Sequence, residues 1–298
     1  MKSKKHILRL KRPFEEILKT YSREYLFSDP LKFAHQYEDP QDRELVAFLS
    51  SALAYGGVPQ IFEILTKVLA KLGAHPAAFV RNFSPHSSKN LFRGLYYRFH
   101  KESDFGLLLS LLSQIYRKDG SLAASFKKHF SPDHPDLGPS LAAWMDEILS
   151  LDARPYYSSG KIPPEAPIRF FFPSPFQGSS CKRLNLFLRW MVRGPDGLDL
   201  GLWNFIPPSR LMIPLDTHIY KIARVLGLTR RKSPNWRMAE EITQHLKALD
   251  PQDPVKYDFA LTRLGILGIC SPKEFKKFCL ALEPLNLNSN SSDKSPFF

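Results

Sequence analysis

The chain is poor in cysteine, in acid and in long apolar runs. Three cysteines in 298 residues, Cys181, Cys270 and Cys279, are too few and odd in number for a disulfide framework. No run of about 18 apolar residues occurs, which argues against a membrane-spanning helix. The first twelve residues are basic and lack an apolar stretch followed by a small-residue cleavage site, so no secretion signal is read there. A cytoplasmic, reduced protein is expected, nucleoid-associated if its partner is DNA. Acids number 29 against 42 Lys and Arg, a formal charge of +13. That excess points to a polyanion, nucleic acid before an anionic membrane surface. The nine histidines show no His-Glu-x-x-His or other ligand spacing, so neither a metal nor a cofactor is expected. Alternating strand patterns and Asn-Gly turns are scarce too, which leaves an all-α fold.

What is present is helical period with clear stops. Lys2, Lys4, Lys5, Arg9, Lys11 and Arg12 form a basic arm with no acid among them. Asp39-Pro40 opens a helix as N-cap and first position, and Gly56-Gly57 ends it. Val58 to Leu72 follows, stopped by Gly73. Helices are also predicted over 87–99, 105–116, 121–130 and 139–149. Residues 152–175 carry six prolines and read as an irregular connection. Ser158-Ser159-Gly160-Lys161 inside it lacks the upstream glycine and strand of a phosphate loop. Residues 286–298, rich in Ser and Asn, read as a disordered tail.

Two segments carry chemistry. Gly178-Ser179-Ser180-Cys181-Lys182-Arg183-Leu184-Asn185 is a Gly/Ser turn feeding a helix start, where free amides suit a phosphate. Lys182 in the first turn meets the positive end of the helix dipole, which lowers its pKa, as would partial burial. A neutral amine is what a Schiff-base lysine needs; the plainer alternative is a lysine that grips phosphate. In Leu215-Asp216-Thr217-His218-Ile219, Asp216 reads as an N-cap. Ile219, Ile222, Ala223 and Leu226 then form a buried face, and Gly227 is the stop. His218 reads as structural. Asp258 and Phe259 lie on a further helix, Lys256 to Gly265. Either could serve a pocket, and the core is an equal reading. Tyr55 and Trp203 are aromatic candidates for which core packing is the plainer alternative. Arg230, Arg231 and Lys232 follow the Asp216 helix and could meet phosphates.

Taken together, Leu-Asp-Thr-His-Ile-x-x-Ile-x-x-x-Leu-Gly-Leu at 215–228 resembles the helix that carries the essential aspartate of the helix-hairpin-helix DNA glycosylase superfamily. Gly-x-x-x-Lys-x-x-Asn at 178–185 resembles the turn that carries the lysine of its bifunctional members. Leu45 to Leu53 looks like the superfamily's first core helix, whose end faces DNA. The likeness spans about 40–280, is best at 178–228, and fits a little-characterised bacterial branch. Three departures stand out. Of the usual Leu-Pro-Gly-Val-Gly hairpin only Gly178 remains. The spacing 216 − 182 = 34 is long, similar to the archaeal 8-oxoguanine subclass. The four-cysteine iron–sulfur loop of some relatives is reduced to Cys270 and Cys279, too few to hold a cluster.

The resemblance implies a two-lobed fold with the active cleft between lobes. Residues 42–195 would form the central lobe and 196–285 the second lobe, with 1–41 packed on the latter. It implies a monomeric base-excision glycosylase with lyase activity on double-stranded DNA containing a damaged base. Lys182 would be the nucleophile and Asp216 the stabilising carboxylate. Asp258, Phe259, Tyr55 and Trp203 would serve the base pocket, and Gly178, Ser179, Ser180, Arg183, Arg230 and Arg231 the phosphates. Oxidised purine, 8-oxoguanine first, is the expected substrate. The alternatives are a non-enzymatic helical nucleic-acid-binding module, with Lys182 exposed or far from Asp216, and a monofunctional glycosylase on alkylated purines.

Overall fold

A computed structural model describes residues 4–282 apart from 87, 89 and 195. Among the described residues the chain is all-α, with thirteen helices, no strands and one isolated backbone bridge between Tyr97 and His100. The helices are α1 Lys4–Leu8, α2 Lys11–Thr20, α3 Pro40–Ala52, α4 Val58–Leu72, α5 Pro76–Arg81, α6 Glu102–Asp119 and α7 Leu122–Lys127. They continue with α8 Gly138–Leu149, α9 Lys182–Val192, α10 Thr217–Leu226, α11 Trp236–Lys247, α12 Asp258–Ile266 and α13 Pro272–Ala281. None of them is long and apolar enough to cross a membrane. The stretch 286–298 lies outside the described residues.

Several caps set boundaries where the sequence placed them, although α3 ends at Ala52, short of the expected stop at Gly56-Gly57. Asp39 accepts from the amides of Gln41 and Asp42 at 2.8 and 3.1 Å, and α3 begins at Pro40. Gly73, in a backbone region closed to L side chains, ends α4. Gly227, left-handed, ends α10. From Lys4 onward the basic arm is folded rather than loose. Ile7 and Leu10 are buried, and in α2 Phe14 packs on Tyr257 and Phe275 at centroid distances of 5.3 and 6.0 Å. Lys5, Lys11 and Arg12 stay on its exposed side.

The helix expected over 87–99 is not formed by its described residues. Turns such as Leu91 N–H to Ser88 O replace the ladder. Left-handed Gly94 (φ +75°) and Arg98 (φ +58°) are incompatible with a continuous right-handed helix. The apolar period there serves the core through Phe92, Leu95 and Tyr97 without helical hydrogen bonds.

Helix α3 is the hub of the packing, against the 3₁₀ segment Pro30–Gln36 on one side and α9 on the other. Its Phe48 meets Phe187 edge-on at 5.3 Å and Trp144 at 6.4 Å. Glu44, one turn earlier, is buried in this core. Its carboxylate accepts from the amides of Leu122 (2.8 Å) and Ala123 (2.9 Å), from Trp203 Nε1 (2.8 Å) and from the Tyr116 hydroxyl (3.3 Å). It thereby caps α7, and burial pushes its carboxyl upward against those four donors. Glu44→Ala should cost about 3 kcal/mol or more in urea unfolding, because it strands several buried donors at once. Glu44→Gln keeps one acceptor oxygen and should cost less. Equal stability of the alanine variant and wild type would show that water reaches these groups.

Candidate active site

A cleft of about 860 Å³ opens where the end of α3, the start of α9, the start of α10 and one face of α12 meet. Ala54 to Val58, Ser180, Lys182, Asp216, His218 and Asp258 are among the residues that line it. It therefore brings Lys182 and Asp216 together across 34 positions of sequence (216 − 182).

Lys182 is the first residue of α9. Its entry is a strained turn: Gly178 is left-handed (φ +79°), and so is Cys181 (φ +49°), a non-glycine residue in a costly backbone region. Ser179 Oγ accepts from the Cys181 amide at 3.0 Å, and Asn185 Nδ2 donates to Ser180 O at 3.1 Å, so the turn is held from both sides. Half-buried Lys182 donates from Nζ to the Ala54 carbonyl at 3.1 Å, just past the C-terminus of α3. The amine thus sits between the positive start of one helix and the negative end of another. Burial holds its pKa below the usual lysine range and Arg183 adds to that, while Asp216, Asp258 and Asp29 pull the other way.

Asp216 caps α10, its Oδ1 accepting from Ile219 N–H at 2.7 Å. One oxygen is thus held by backbone, on a half-buried residue in the cleft wall. His218, the second residue of α10, also lines the cleft and lies directly on Gly265 of α12. A Cβ at Gly265 would fall 2.0 Å from the ring Nδ1, so only glycine lets the two helices approach this closely.

The floor is charged and buried. Asp258, 2% exposed, pairs with Arg189, which also bonds Asp199 at 3.1 Å. Arg263 pairs with Asp29 at 2.9 Å and donates to Ser28 Oγ at 2.8 Å. Burial pushes the Asp258 carboxyl up to about 6 against the pull of Arg189, and nearby Asp216 adds to the rise. Two atoms on these cleft-lining residues, Asp258 Oδ1 and Arg263 Nε, are buried without a hydrogen-bond partner. A buried acceptor and a buried donor left unmatched are costly.

The remaining candidates divide. Tyr55 lines the cleft, and Ser180 borders it. Arg230 and Arg231 offer their carbonyls to Arg224 Nη1 at 3.1 and 2.7 Å, and the Arg231 side chain pairs with Glu241 at 3.2 Å; it is their neighbour Lys232 that reaches the cleft. Arg183 does not face solvent as a phosphate ligand would. It is buried, donating to the carbonyls of Ala52 (2.8 Å) and Phe170, where it ties down the end of α3. Trp203 belongs to the core beside Phe126 and Phe187, with its indole N–H spent on Glu44. Phe259 is buried beneath the Arg263 guanidinium, 4.5 Å from it, and is absent from the cleft lining.

Asp29, Arg189 and Arg263 were not singled out from sequence. Asp29-Pro30 repeats the cap signature of Asp39-Pro40, and Arg189 stands inside the apolar run 186–192, where a charge demands a partner, as does Arg263 among Leu261 and Leu264. All three cysteines are free, and burial pushes Cys181 and Cys279 up to about 12. Among the described residues no three His, Cys, Asp or Glu side chains converge as a metal-binding group.

No curated protein and no solved structure matches this chain. One family does, over residues 29–267, a span that holds every charged residue of the floor together with Lys182 and Asp216. By that match the chain belongs to the family described as "Protein of unknown function (DUF2400)".

Proposed function

We propose that the chain is a DNA glycosylase with lyase activity, working on double-stranded DNA that contains a damaged base. The observation that carries this reading is the shared cleft. A lysine whose pKa is depressed by burial and an aspartate held by a helix start line one cavity of about 860 Å³. The likeness of 178–185 and 215–228 to the lysine turn and aspartate helix of the helix-hairpin-helix glycosylases supports it. So does the charge of +13, which suits a phosphate backbone. A non-enzymatic module would leave Lys182 fully exposed or remote from Asp216, so its half-buried place in the same cleft as Asp216 supports the enzymatic reading. In this reading the two lobes are 42–195 and 196–285, with the cleft between them.

The damaged nucleotide leaves the stack and enters the cleft, since its C1′ is out of reach inside a duplex. The lone pair of neutral Lys182 Nζ forms a bond to C1′. The glycosidic C1′–N bond breaks, its electron pair leaves with the base, and the base takes up a proton. The amine gives up a proton as the sugar ring opens to an iminium. Loss of a C2′ proton then expels the 3′ phosphate, cutting the strand, and water hydrolyses the imine to free the lysine. Asp216 stabilises the positive charge that grows on the sugar.

The charged floor favours an oxidised purine. In 8-oxoguanine N7 becomes a donor and O8 an added acceptor, and a floor that carries both a carboxylate and a guanidinium, in Asp258 and Arg263, suits that pair. The test is borohydride trapping and base release on duplexes carrying 8-oxoguanine, thymine glycol, 3-methyladenine or uracil. Trapping with 8-oxoguanine is expected. Release of another base alone overturns the substrate, and absence of release and trapping across the panel overturns the enzyme.

A further inference from the structure

Beside the cleft lies an exposed aromatic surface. Tyr55 in the cleft wall packs on Phe170 at 4.9 Å and on Phe99 at 6.0 Å, and those two rings meet edge-on at 4.8 Å. Phe99 is 45% exposed and Phe170 38%. This layer is built rather than incidental. His100 beneath is fully buried and stacked on Phe171 at 4.1 Å. Its Nε2 donates to the Pro167 carbonyl at 3.1 Å, so Nδ1 accepts from the Tyr55 hydroxyl at 2.6 Å. Tyr97 and His100 bond their backbones in both directions, leaving Arg98 and Phe99 as a two-residue tip. Arg98 holds φ +58°, a costly backbone for an arginine, and such strain concentrates at functional positions. The tip is basic: Arg93, Arg98 and Lys101 are exposed, and the one acid among residues 93–102, Glu102, accepts from the Gly94 amide at 2.8 Å.

We propose that Phe99 and Phe170 form a stacking shelf for an unpaired nucleobase of the strand that enters the cleft, with Arg93 and Arg98 beside its phosphates. The inference rests on the reading that the partner is DNA. Three features select this occupant. The shelf is continuous with the cleft through Tyr55. Its aromatic faces suit any base, and its positive rim suits phosphate. The same rim would repel a second copy of the chain.

The test compares two decamers that carry identical phosphates: oligothymidine, and a chain of abasic tetrahydrofuran units. Binding of each to the full chain is read by fluorescence anisotropy. Wild type should bind the thymidine strand about tenfold more tightly, and Phe99→Ala should erase most of that preference while leaving affinity for the abasic strand unchanged. Phe99→Trp should retain the preference, which separates stacking from a folding defect. An unaltered base preference in Phe99→Ala overturns the shelf and leaves the enzymatic reading standing, provided that damaged duplex is still trapped. No binding of either strand or of damaged duplex by wild type overturns both. Self-association of wild type that Phe99→Ala abolishes assigns the surface to a second copy instead, and overturns the shelf.

Discussion

Lys182→Gln should reduce borohydride trapping and strand cleavage to background while damaged duplex still binds. The proposed nucleophile is the lone pair of Nζ, and an amide nitrogen has none to offer. Folding should be intact. The ammonium form of Lys182 is opposed by burial, so a neutral side chain relieves that cost, and thermal stability should equal or exceed that of wild type. Binding should persist because Lys182 is one of 42 Lys and Arg and acts as a neutral amine, so the positive charge that meets the backbone phosphates is carried by other residues. The wild-type single-turnover rate should climb with pH and level off below the ordinary lysine pKa of about 10.4, since the folded amine loses its proton early. Strand cleavage by the glutamine variant at the wild-type rate would remove Lys182 from the chemistry. Retained base release without cleavage would instead leave a water-dependent glycosylase.

How much of this arrangement was legible in sequence depends on whether the signal was local. Helix ends were, because caps are written within four residues: Asp39-Pro40 before α3, Gly73 after α4, Asp216 and Gly227 around α10. The position of Lys182 at the start of α9 follows from the same kind of signal. Residues 87–99 misled, since their apolar spacing fits a helix while Gly94 and Arg98 turn the chain left-handed. Side-chain partners across long separations carried no local sign. Arg263 finds Asp29 from 234 positions away, and Trp203 finds Glu44 from 159. Arg183 has the composition of a phosphate ligand, and only the placement of α9 against the end of α3 shows that two carbonyls already occupy it. That Lys182 and Asp216 share a cleft was therefore readable from two motifs, while its floor needed the tertiary structure.

Asp216→Asn separates the cap that the structure shows from the catalytic role proposed for this side chain. Asparagine caps a helix about as well as aspartate, so the bond from Ile219 N–H to the side-chain oxygen should persist and stability should change by less than about 0.5 kcal/mol. The charge, however, is gone. Loss of one preorganised electrostatic partner typically costs roughly 10²–10³ in the chemical step, and the single-turnover rate should fall by that order. A second consequence fixes the cause. Asp216 raises the pKa of both Lys182 and Asp258, so its neutral replacement should move both downward. More of the amine is then free at neutral pH, which by itself would accelerate attack. A variant that is slower despite a lower pH midpoint has lost transition-state stabilisation, not nucleophile. The measurement is the pH profile of single-turnover base release for wild type and Asp216→Asn, with urea unfolding alongside. A rate equal to wild type, with stability alone reduced, would leave Asp216 as the cap of α10 and nothing more.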